Sequence, residues 1–237
     1  MKITNKPGVK TILLDMDGVL WRGDEPVLDI RKLFVRIKEA GLNVYCITNN
    51  SARTIEYYLH KLEKYGVNLN RDQIITSAEA ASTYLLRIYP QGGNVYIVGE
   101  EGLIETLKRN KFNQILEPDQ NNILAVVAGL DRNLTYKKLA KATQLVANGV
   151  PFIGTNPDKS IPIPMGIAPG AGSVISAIET ASGINAAIIG KPEKYVFQLA
   201  LDRANCLPSE SIQWCFALEY WRRRRRQTAN NAELDIH

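Results

Sequence analysis

Residues 11–20 read TILLDMDGVL, and this stretch decides how the chain begins to fold. Residues 11–14 form an apolar run of strand length that ends directly at Asp15. Such a run predicts a buried strand, and Gly18 indicates that a loop follows it. We therefore expect two carboxylates, Asp15 and Asp17, at the point where a strand of a sheet ends.

Strand-like and helix-like segments alternate along most of the chain. Apolar runs of strand length occupy residues 44–47, 94–98, 123–128 and 187–189, and apolar residues at helical spacing occupy residues 30–40, 58–65, 103–107, 136–146, 173–181 and 195–204. This alternation predicts an α/β fold in which crossover helices connect the strands of a parallel sheet. Residues 154–172 are rich in proline and glycine, which indicates a loop or a hinge at a domain border.

The composition argues against several classes of protein. The chain has 237 residues, 45% of them hydrophobic, and no apolar run approaches the roughly 20 residues of a membrane helix. The N-terminus lacks the apolar segment of a secretion signal, and the three cysteines are widely spaced. We therefore predict a cytoplasmic protein with reduced thiols and no membrane partner.

The positive charge is concentrated near the C-terminus. The net charge is +5, and residues 222–226 are five consecutive arginines. Residues 1–213 alone carry 24 basic and 21 acidic side chains, a net charge of only +3. A nucleic-acid partner is therefore not expected for the body of the protein.

Three of the predicted strands end in polar sequences that suit phosphate chemistry. These sequences are Asp15-Met16-Asp17-Gly18, Thr48-Asn49-Asn50 and Gly190-Lys191-Pro192. The carboxyl ends of parallel strands gather at one edge of a sheet, so these groups are expected to meet. One carboxylate can attack phosphorus while the other transfers a proton, and a hydroxyl and an ammonium group suit phosphoryl oxygens. Taken singly, each sequence more often has a simpler role: a solvated turn for the two aspartates, a turn or helix cap for residues 48–50 and a surface charge for Lys191.

Together these sequences resemble the motifs of haloacid dehalogenase-like phosphatases. Residues 15–20, DMDGVL, resemble the first motif, D-x-D-G-V/T-L; Thr48 resembles the second motif and Lys191 the third. The likeness is closest to subfamily IIA, the NagD, 4-nitrophenylphosphatase and phosphoglycolate phosphatase branch. In that branch a large cap lies between the second and third motifs, and 142 residues lie between Thr48 and Lys191 here.

The resemblance implies a Rossmann-like parallel sheet as the core, with an inserted α/β cap domain. The expected division is a first part of the core at residues 1–80, a cap at residues 81–182 and a second part of the core at residues 183–237. Within the cap, Asp131 and residues 156–158 are candidates for substrate contacts, and the equal alternative is that they order turns of the cap.

The resemblance also implies a role for each motif residue. Asp15 would form an aspartyl-phosphate, and Asp17 would protonate the leaving oxygen and then activate water. Both residues would hold Mg²⁺, Asp17 through its main-chain carbonyl. Thr48, Asn49 and Lys191 would bind the substrate phosphate.

The implied function is Mg²⁺-dependent hydrolysis of a small phosphorylated metabolite. Sugar phosphates, nucleotide monophosphates, phosphoglycolate and 4-nitrophenyl phosphate are the candidate esters. A dehalogenase acting on carbon is disfavoured, because it would leave Asp17 without a role. The oligomeric state is left open, with a homodimer as one candidate.

The C-terminal segment departs from the family pattern. The family has a fourth motif, G-D-x-x-x-T-D, whose aspartates bind metal, but Ala217 and Arg222 stand at the corresponding positions. Residues 214–237 also change in composition, and we interpret them as aberrant and out of frame, which would leave the core incomplete at its C-terminus. A divergent C-terminus with a solvated basic tail is the alternative. The competing functional hypothesis is therefore a catalytically impaired, phosphate-binding pseudoenzyme.

Overall fold

The computed structural model describes residues 8–117, 122–163 and 166–214. Two parallel sheets organise these residues, and most apolar side chains of their central strands are buried. The predicted α/β class with parallel sheets is confirmed. Within the described ranges, no helix is both long and apolar enough to cross a membrane.

The first sheet combines strands from the two ends of the chain. Its strands are β1 (Thr11–Asp15), β4 (Asn43–Thr48), β5 (Ile74–Thr76) and β13 (Ser211–Trp214). They are ordered β13-β1-β4-β5, and every pairing is parallel. A short antiparallel hairpin follows β1, formed by β2 (Trp21–Arg22) and β3 (Glu25–Pro26). We call this hairpin the flap.

Helices precede or follow the strands of the first sheet, as crossovers between parallel strands require. They are α1 (Ile30–Glu39), α2 (Ile55–Glu63), α3 (Ser77–Ile88) and α7 (Lys194–Ala204), with short 3₁₀ helices at Arg71–Gln73 and Pro208–Glu210. Side-chain oxygens of Asp29, Thr54 and Thr76 cap the first three helices by accepting hydrogen bonds from backbone N–H groups.

The second sheet is built from the central part of the chain. Its strands are β6 (Gly93–Val98), β7 (Phe112–Gln114), β8 (Ala125–Ala128), β9 (Phe152–Gly154) and β12 (Ala187–Ile188). They are ordered β12-β9-β8-β6-β7, again entirely in parallel. The accompanying elements are the helices α4 (Glu101–Arg109), α5 (Tyr136–Ala147) and α6 (Ala171–Ser182), and an antiparallel hairpin of β10 (Ser160–Ile163) and β11 (Gly166–Pro169).

The predicted domain division stays a prediction, and its boundaries can be located on the elements of the structure. The division between residues 80 and 81 falls inside α3, which continues as one helix to Ile88. The division between residues 182 and 183 would assign β12 to the core, but β12 pairs with β9 in the second sheet. The second sheet therefore extends beyond residue 182, because Ala187 and Ile188 form backbone pairs with Ile153 and Gly154.

One hydrophobic cluster connects the two sheets. Leu13 and Ile47 of the first sheet share this cluster with Val95 and Val127 of the second. Helices α3, α4 and α7 also contribute buried residues to it. The second sheet is thus packed against the first, and independent behaviour of the cap stays a prediction.

The predictions for the C-terminal segment concern residues that are not described. Ala217 and Arg222, and the interpretation of the tail as out of frame, lie outside the described residues apart from residue 214. That residue is the last in β13, which pairs with β1.

Candidate active site

The candidate site lies at the carboxyl edge of the first sheet. Asp15 is the last residue of β1 and is paired in register with Ile47 of β4. Lys191 follows β12, and its Nζ lies 2.7 Å from Asp15 Oδ1. Both side chains are about 15% exposed, so the ion pair is largely sheltered but still reachable.

A tight turn directs the second carboxylate into the same region. Gly18 has φ of +80°, a conformation that residues with a side chain rarely adopt. Its N–H donates to the carbonyl of Trp21 at 2.8 Å, which closes the turn at the start of the flap. This turn brings Asp17 beside β4 and lets its carboxylate contact two elements at once.

The two oxygens of the Asp17 carboxylate accept hydrogen bonds from different donors. Trp21 Nε1 donates to Oδ1 at 2.9 Å, and Thr48 Oγ1 donates to Oδ2 at 2.6 Å. Thr48 is the last residue of β4 and is buried, and its Oγ1 also accepts from the N–H of Asn50 at 3.0 Å. The structure therefore brings Thr48 to Asp17, and Lys191 to Asp15, at the ends of adjacent strands.

Asn49 holds the backbone of Lys191 from both sides. Its Oδ1 accepts from the Lys191 N–H at 2.8 Å, and its Nδ2 donates to the Lys191 carbonyl at 3.0 Å. The same Nδ2 donates to Asp158 Oδ2 at 3.0 Å. With its amide engaged in this way, the predicted contact between Asn49 and a substrate phosphate would require a hydrogen bond to break, and it stays a prediction.

The candidate cap residues take part in local order. Asp131 is buried, and its carboxylate accepts from the N–H of Asn133 at 2.9 Å and from Lys138 Nζ at 2.8 Å. Asn156 is buried as well, donating to the Asn49 carbonyl at 2.6 Å and accepting from the N–H of Asp158 at 3.2 Å. Of the two interpretations offered for these residues, the geometry favours the ordering of turns.

The carboxyl edges of the two sheets approach each other closely at this site. A Cβ atom placed on Gly190 would lie 2.4 Å from the carbonyl oxygen of Thr155 and 2.9 Å from Asn49 Oδ1. Any side chain at position 190 would therefore force the two edges apart. The peptide bond that follows Lys191 is cis.

Sequence reasoning missed an aromatic cluster beneath the flap. Trp21 is 1% exposed and stacks on Tyr58 of α2, with ring centroids 6.4 Å apart and planes inclined by 14°. Lys61 of α2 places its Nζ 4.6 Å from the centroid of the Trp21 ring. That Nζ also donates to the Gly23 carbonyl at 2.6 Å and to Asp24 Oδ1 at 3.1 Å. The available signal was the spacing of Tyr58 and Lys61, which puts both on one face of a helix.

Two other buried groups near the site are held in their neutral forms. Burial, and after it the charge of Asp17, raises the pKa of Tyr58 well above its usual range. Burial, and after it the charge of Asp15, raises the pKa of the Cys46 thiol far above its usual range. The thiolate is the reactive form of cysteine, so Cys46 is not a competing nucleophile.

The donor atoms at this edge are compatible with a magnesium site to which the protein contributes only a few of the ligands. Mg²⁺ is commonly held by one or two carboxylates, with water and substrate phosphate completing its oxygen ligands. The carboxylate of Asp15 and the main-chain carbonyl of Asp17 fit such a site. Among the described residues, no group of three or more histidines, cysteines or acidic residues could hold a metal ion.

Comparisons with known proteins agree with this geometry. A model of the family of haloacid dehalogenase-like hydrolases matches residues 12–113. Acid sugar phosphatase from Staphylococcus aureus (strain USA300) is 34% identical over 193 residues, which cover 81% of this chain and 73% of that protein.

Solved structures extend the similarity to three dimensions. The p-nitrophenyl phosphatase from Archaeoglobus fulgidus has a TM-score of 0.81 and 28% identity, over 86% of this chain and 77% of that chain. NagD from E. coli K-12 has a TM-score of 0.76 and 29% identity, over 86% of this chain and 78% of that chain. At this coverage, the similarity includes both sheets.

Proposed function

Because this chain belongs to the haloacid dehalogenase-like hydrolases, in subfamily IIA, we propose that it hydrolyses small phosphate monoesters with Asp15 as the nucleophile. The observation that carries the proposal is the meeting of Asp15, Asp17, Thr48 and Lys191 at one sheet edge. Together the four supply a nucleophile, an acid and donors for the phosphoryl oxygens, which phosphoryl transfer needs.

The residues divide the reaction between them. The Asp15 carboxylate attacks phosphorus, and the bond from phosphorus to the leaving oxygen breaks to give an aspartyl-phosphate. Asp17 gives its proton to the leaving oxygen and later accepts a proton from the water that hydrolyses the intermediate. The Lys191 ammonium and the Thr48 hydroxyl hold the phosphoryl oxygens, whose charge must be balanced during transfer.

Magnesium fits this scheme as a bound cofactor. When bound through the Asp15 carboxylate and the Asp17 carbonyl, it supplies positive charge next to the phosphoryl group. Lys191 contributes a second positive charge from the protein itself, 2.7 Å from Asp15. The cation and the lysine together would offset the repulsion between an anionic nucleophile and an anionic ester.

The relatives support a choice of substrate class. One is called an acid sugar phosphatase and another a p-nitrophenyl phosphatase, which favours sugar phosphates and aryl phosphates for this chain. Nucleotide monophosphates and phosphoglycolate remain in the proposed set. The second sheet, whose carboxyl edge adjoins the site near Asn156 and Asp158, would select among the leaving groups.

A turnover assay combined with isotope labelling tests the proposal. The purified full chain is assayed with 4-nitrophenyl phosphate and a hexose 6-phosphate over a range of Mg²⁺ concentrations. After a single turnover in water enriched in ¹⁸O, mass spectrometry should find one ¹⁸O atom in the released phosphate and none in the Asp15 carboxylate, because water attacks the phosphorus of the intermediate and the bond from phosphorus to the Asp15 oxygen breaks. Trapping the intermediate by reduction with borohydride gives a direct readout, and a modified residue other than Asp15 would contradict the assignment.

A catalytically impaired phosphate-binding protein is the second candidate. The observation that favours it is the sequence at positions 217 and 222, where alanine and arginine replace the aspartates of the fourth family motif. In this case, inorganic phosphate would still bind in calorimetry, and Lys191→Ala would weaken that binding. Turnover would stay at background at every Mg²⁺ concentration, which separates this candidate from the phosphatase.

A further inference from the structure

The two oxygens of Asp17 differ in the kind of donor that each contacts. Oδ1 accepts from the indole Nε1 of Trp21 at 2.9 Å, and Oδ2 is 2.6 Å from the hydroxyl of Thr48. An indole N–H can only donate a hydrogen bond, whereas a hydroxyl can donate or accept. A proton on Oδ1 would therefore compete with the indole hydrogen for the same region, but a proton on Oδ2 would meet a group able to accept it.

We propose that Trp21 is a positioning residue that fixes the Asp17 carboxyl group through Oδ1, so that Oδ2 is the oxygen that exchanges a proton with the ester. This inference rests on the proposed function, because it assigns the orientation of the acid in that reaction. On the other side of the carboxyl group, the Thr48 hydroxyl donates to Oδ2, and its Oγ1 also accepts from the N–H of Asn50.

The proton transfer then has one defined route. As the bond between Asp15 and phosphorus forms and the bond from phosphorus to the ester oxygen breaks, the Oδ2–H bond of Asp17 breaks and its proton moves to the leaving oxygen. Asp17 is left as a carboxylate that still accepts from Trp21 through Oδ1. The fixed indole donor holds Oδ1 on one side of the carboxyl group, so that the acid does not have to reorient during the step.

The surroundings of Trp21 hold the indole in the required position. Tyr58 stacks on one side of the indole, and Lys61 lies over the ring while it binds the flap tip at Gly23 and Asp24. Helix α2 therefore positions the acid indirectly, through the flap.

Esters with different leaving groups test the proposal, because the loss of a purely structural role of Trp21 would lower kcat/KM equally for both. Trp21→Phe keeps an aromatic ring but removes the donor. A sugar alkoxide needs a proton to leave, whereas 4-nitrophenolate is a weak base that leaves without one. We expect kcat/KM to fall about tenfold or more for a hexose 6-phosphate and less than about threefold for 4-nitrophenyl phosphate. Lys61→Met should shift the ratio in the same direction by a smaller factor.

Controls separate the positioning role from a loss of structure. Tyr136→Phe, at an exposed position on α5, should leave both rates unchanged. Equal losses of Trp21→Phe on the two esters would overturn the proposal, as would unchanged rates. If the wild-type chain hydrolyses neither ester, the proposed function is wrong, and Trp21 does not position a catalytic acid.

The contact itself can be tested without turnover. In ¹H–¹⁵N spectra, the indole resonance of Trp21 is assigned by its disappearance in Trp21→Phe. It should shift upfield in Asp17→Asn, since a neutral amide oxygen is a weaker acceptor than a carboxylate. It should not move in Asp72→Asn, at an exposed position in a 3₁₀ helix. A resonance that is identical in the wild type and Asp17→Asn would overturn the proposal whatever the activity.

Discussion

The two main sheets of this protein are both parallel, but the polar residues at their carboxyl edges differ in exposure and in partners. At the edge of the first sheet, Asp15 and Lys191 form a pair that is about 15% exposed on each side, within reach of a small ligand. At the edge of the second sheet, Asp131 is 1% exposed at its side chain and is surrounded by protein donors. The difference shows that a carboxylate at the end of a strand becomes a candidate for catalysis only where a ligand can reach it.

The largest effect should come from exchanging a carboxylate for an amide at the first edge. We expect Asp15→Asn to lower kcat by about 10⁴-fold or more, because an amide cannot attack phosphorus. The same exchange at the second edge, Asp131→Asn, should lower the free energy of unfolding by about 1–3 kcal/mol and change kcat/KM by less than about twofold. Steady-state kinetics and chemical denaturation of both variants provide the comparison.

Either of two results would contradict the expected difference between a catalytic carboxylate at the first edge and a structural carboxylate at the second. Asp15→Asn retaining more than about a tenth of the wild-type activity would mean that another group is the nucleophile. A large loss of kcat in a stable Asp131→Asn variant would mean that the second edge takes part in the chemistry.

An intermediate effect is expected where the two edges are connected. Asn49→Ala removes the hydrogen bonds to the Lys191 backbone and to Asp158, so Lys191 should lose its fixed position beside Asp15. We expect kcat to fall about 10- to 100-fold with a smaller rise in KM. Asn68→Ala, at an exposed position, is the control. A raised KM with an unchanged kcat would instead support the direct phosphate contact predicted from the sequence.

The smallest effect concerns an ion pair at the second edge. The hydrogen bond from Arg132 lowers the pKa of Glu100 below its usual value of 4.5, although burial opposes this shift. A lowered pKa in the folded state means that the pair stabilises the protein above about pH 4.5 and loses this effect as the pH falls through the folded-state pKa. Glu100→Gln should therefore lower the Tm by about 1–3 °C at pH 7, and by less as the pH drops below 4.5.

The control for this prediction is the neighbouring exposed residue. Glu101→Gln should have a pH profile of Tm that parallels that of the wild type. A constant difference between Glu100→Gln and the wild type from pH 7 to pH 3 would contradict an electrostatic origin.

The main features of the site could be predicted from the sequence because they follow a rule of parallel sheets. Asp15 and Thr48 are the last residues of β1 and β4. The end of an apolar run in the sequence predicts the end of a strand, so both positions could be predicted. Lys191 follows the apolar run at residues 187–189 in the same way. It was therefore possible to predict that these residues meet at one edge without knowing their individual contacts.

Other features depend on geometry that a linear pattern does not contain. The contact between Trp21 and Asp17 exists because the flap folds back over α2, and nothing in the apolar periodicity specifies that fold. The amide of Asn49 could have bound a ligand or the backbone, and only the position of Lys191 decides between them. The sequence also could not show to which sheet β12 belongs. A short apolar run can pair with either sheet, and only its neighbours in the structure decide between them.

The pairing of β1 with β13 has a consequence for the order in which the protein matures on the ribosome. Thr11 is paired with Ser211, and Lys10 forms an ion pair with Glu210, so this ladder joins segments 200 residues apart. The strands of the second sheet all lie between Gly93 and Ile188 and leave the ribosome before β13 does. The nascent chain can therefore complete its central sheet while β1 still has an unpaired edge. The strand that carries the proposed nucleophile pairs with β13 only after the second sheet has been synthesised.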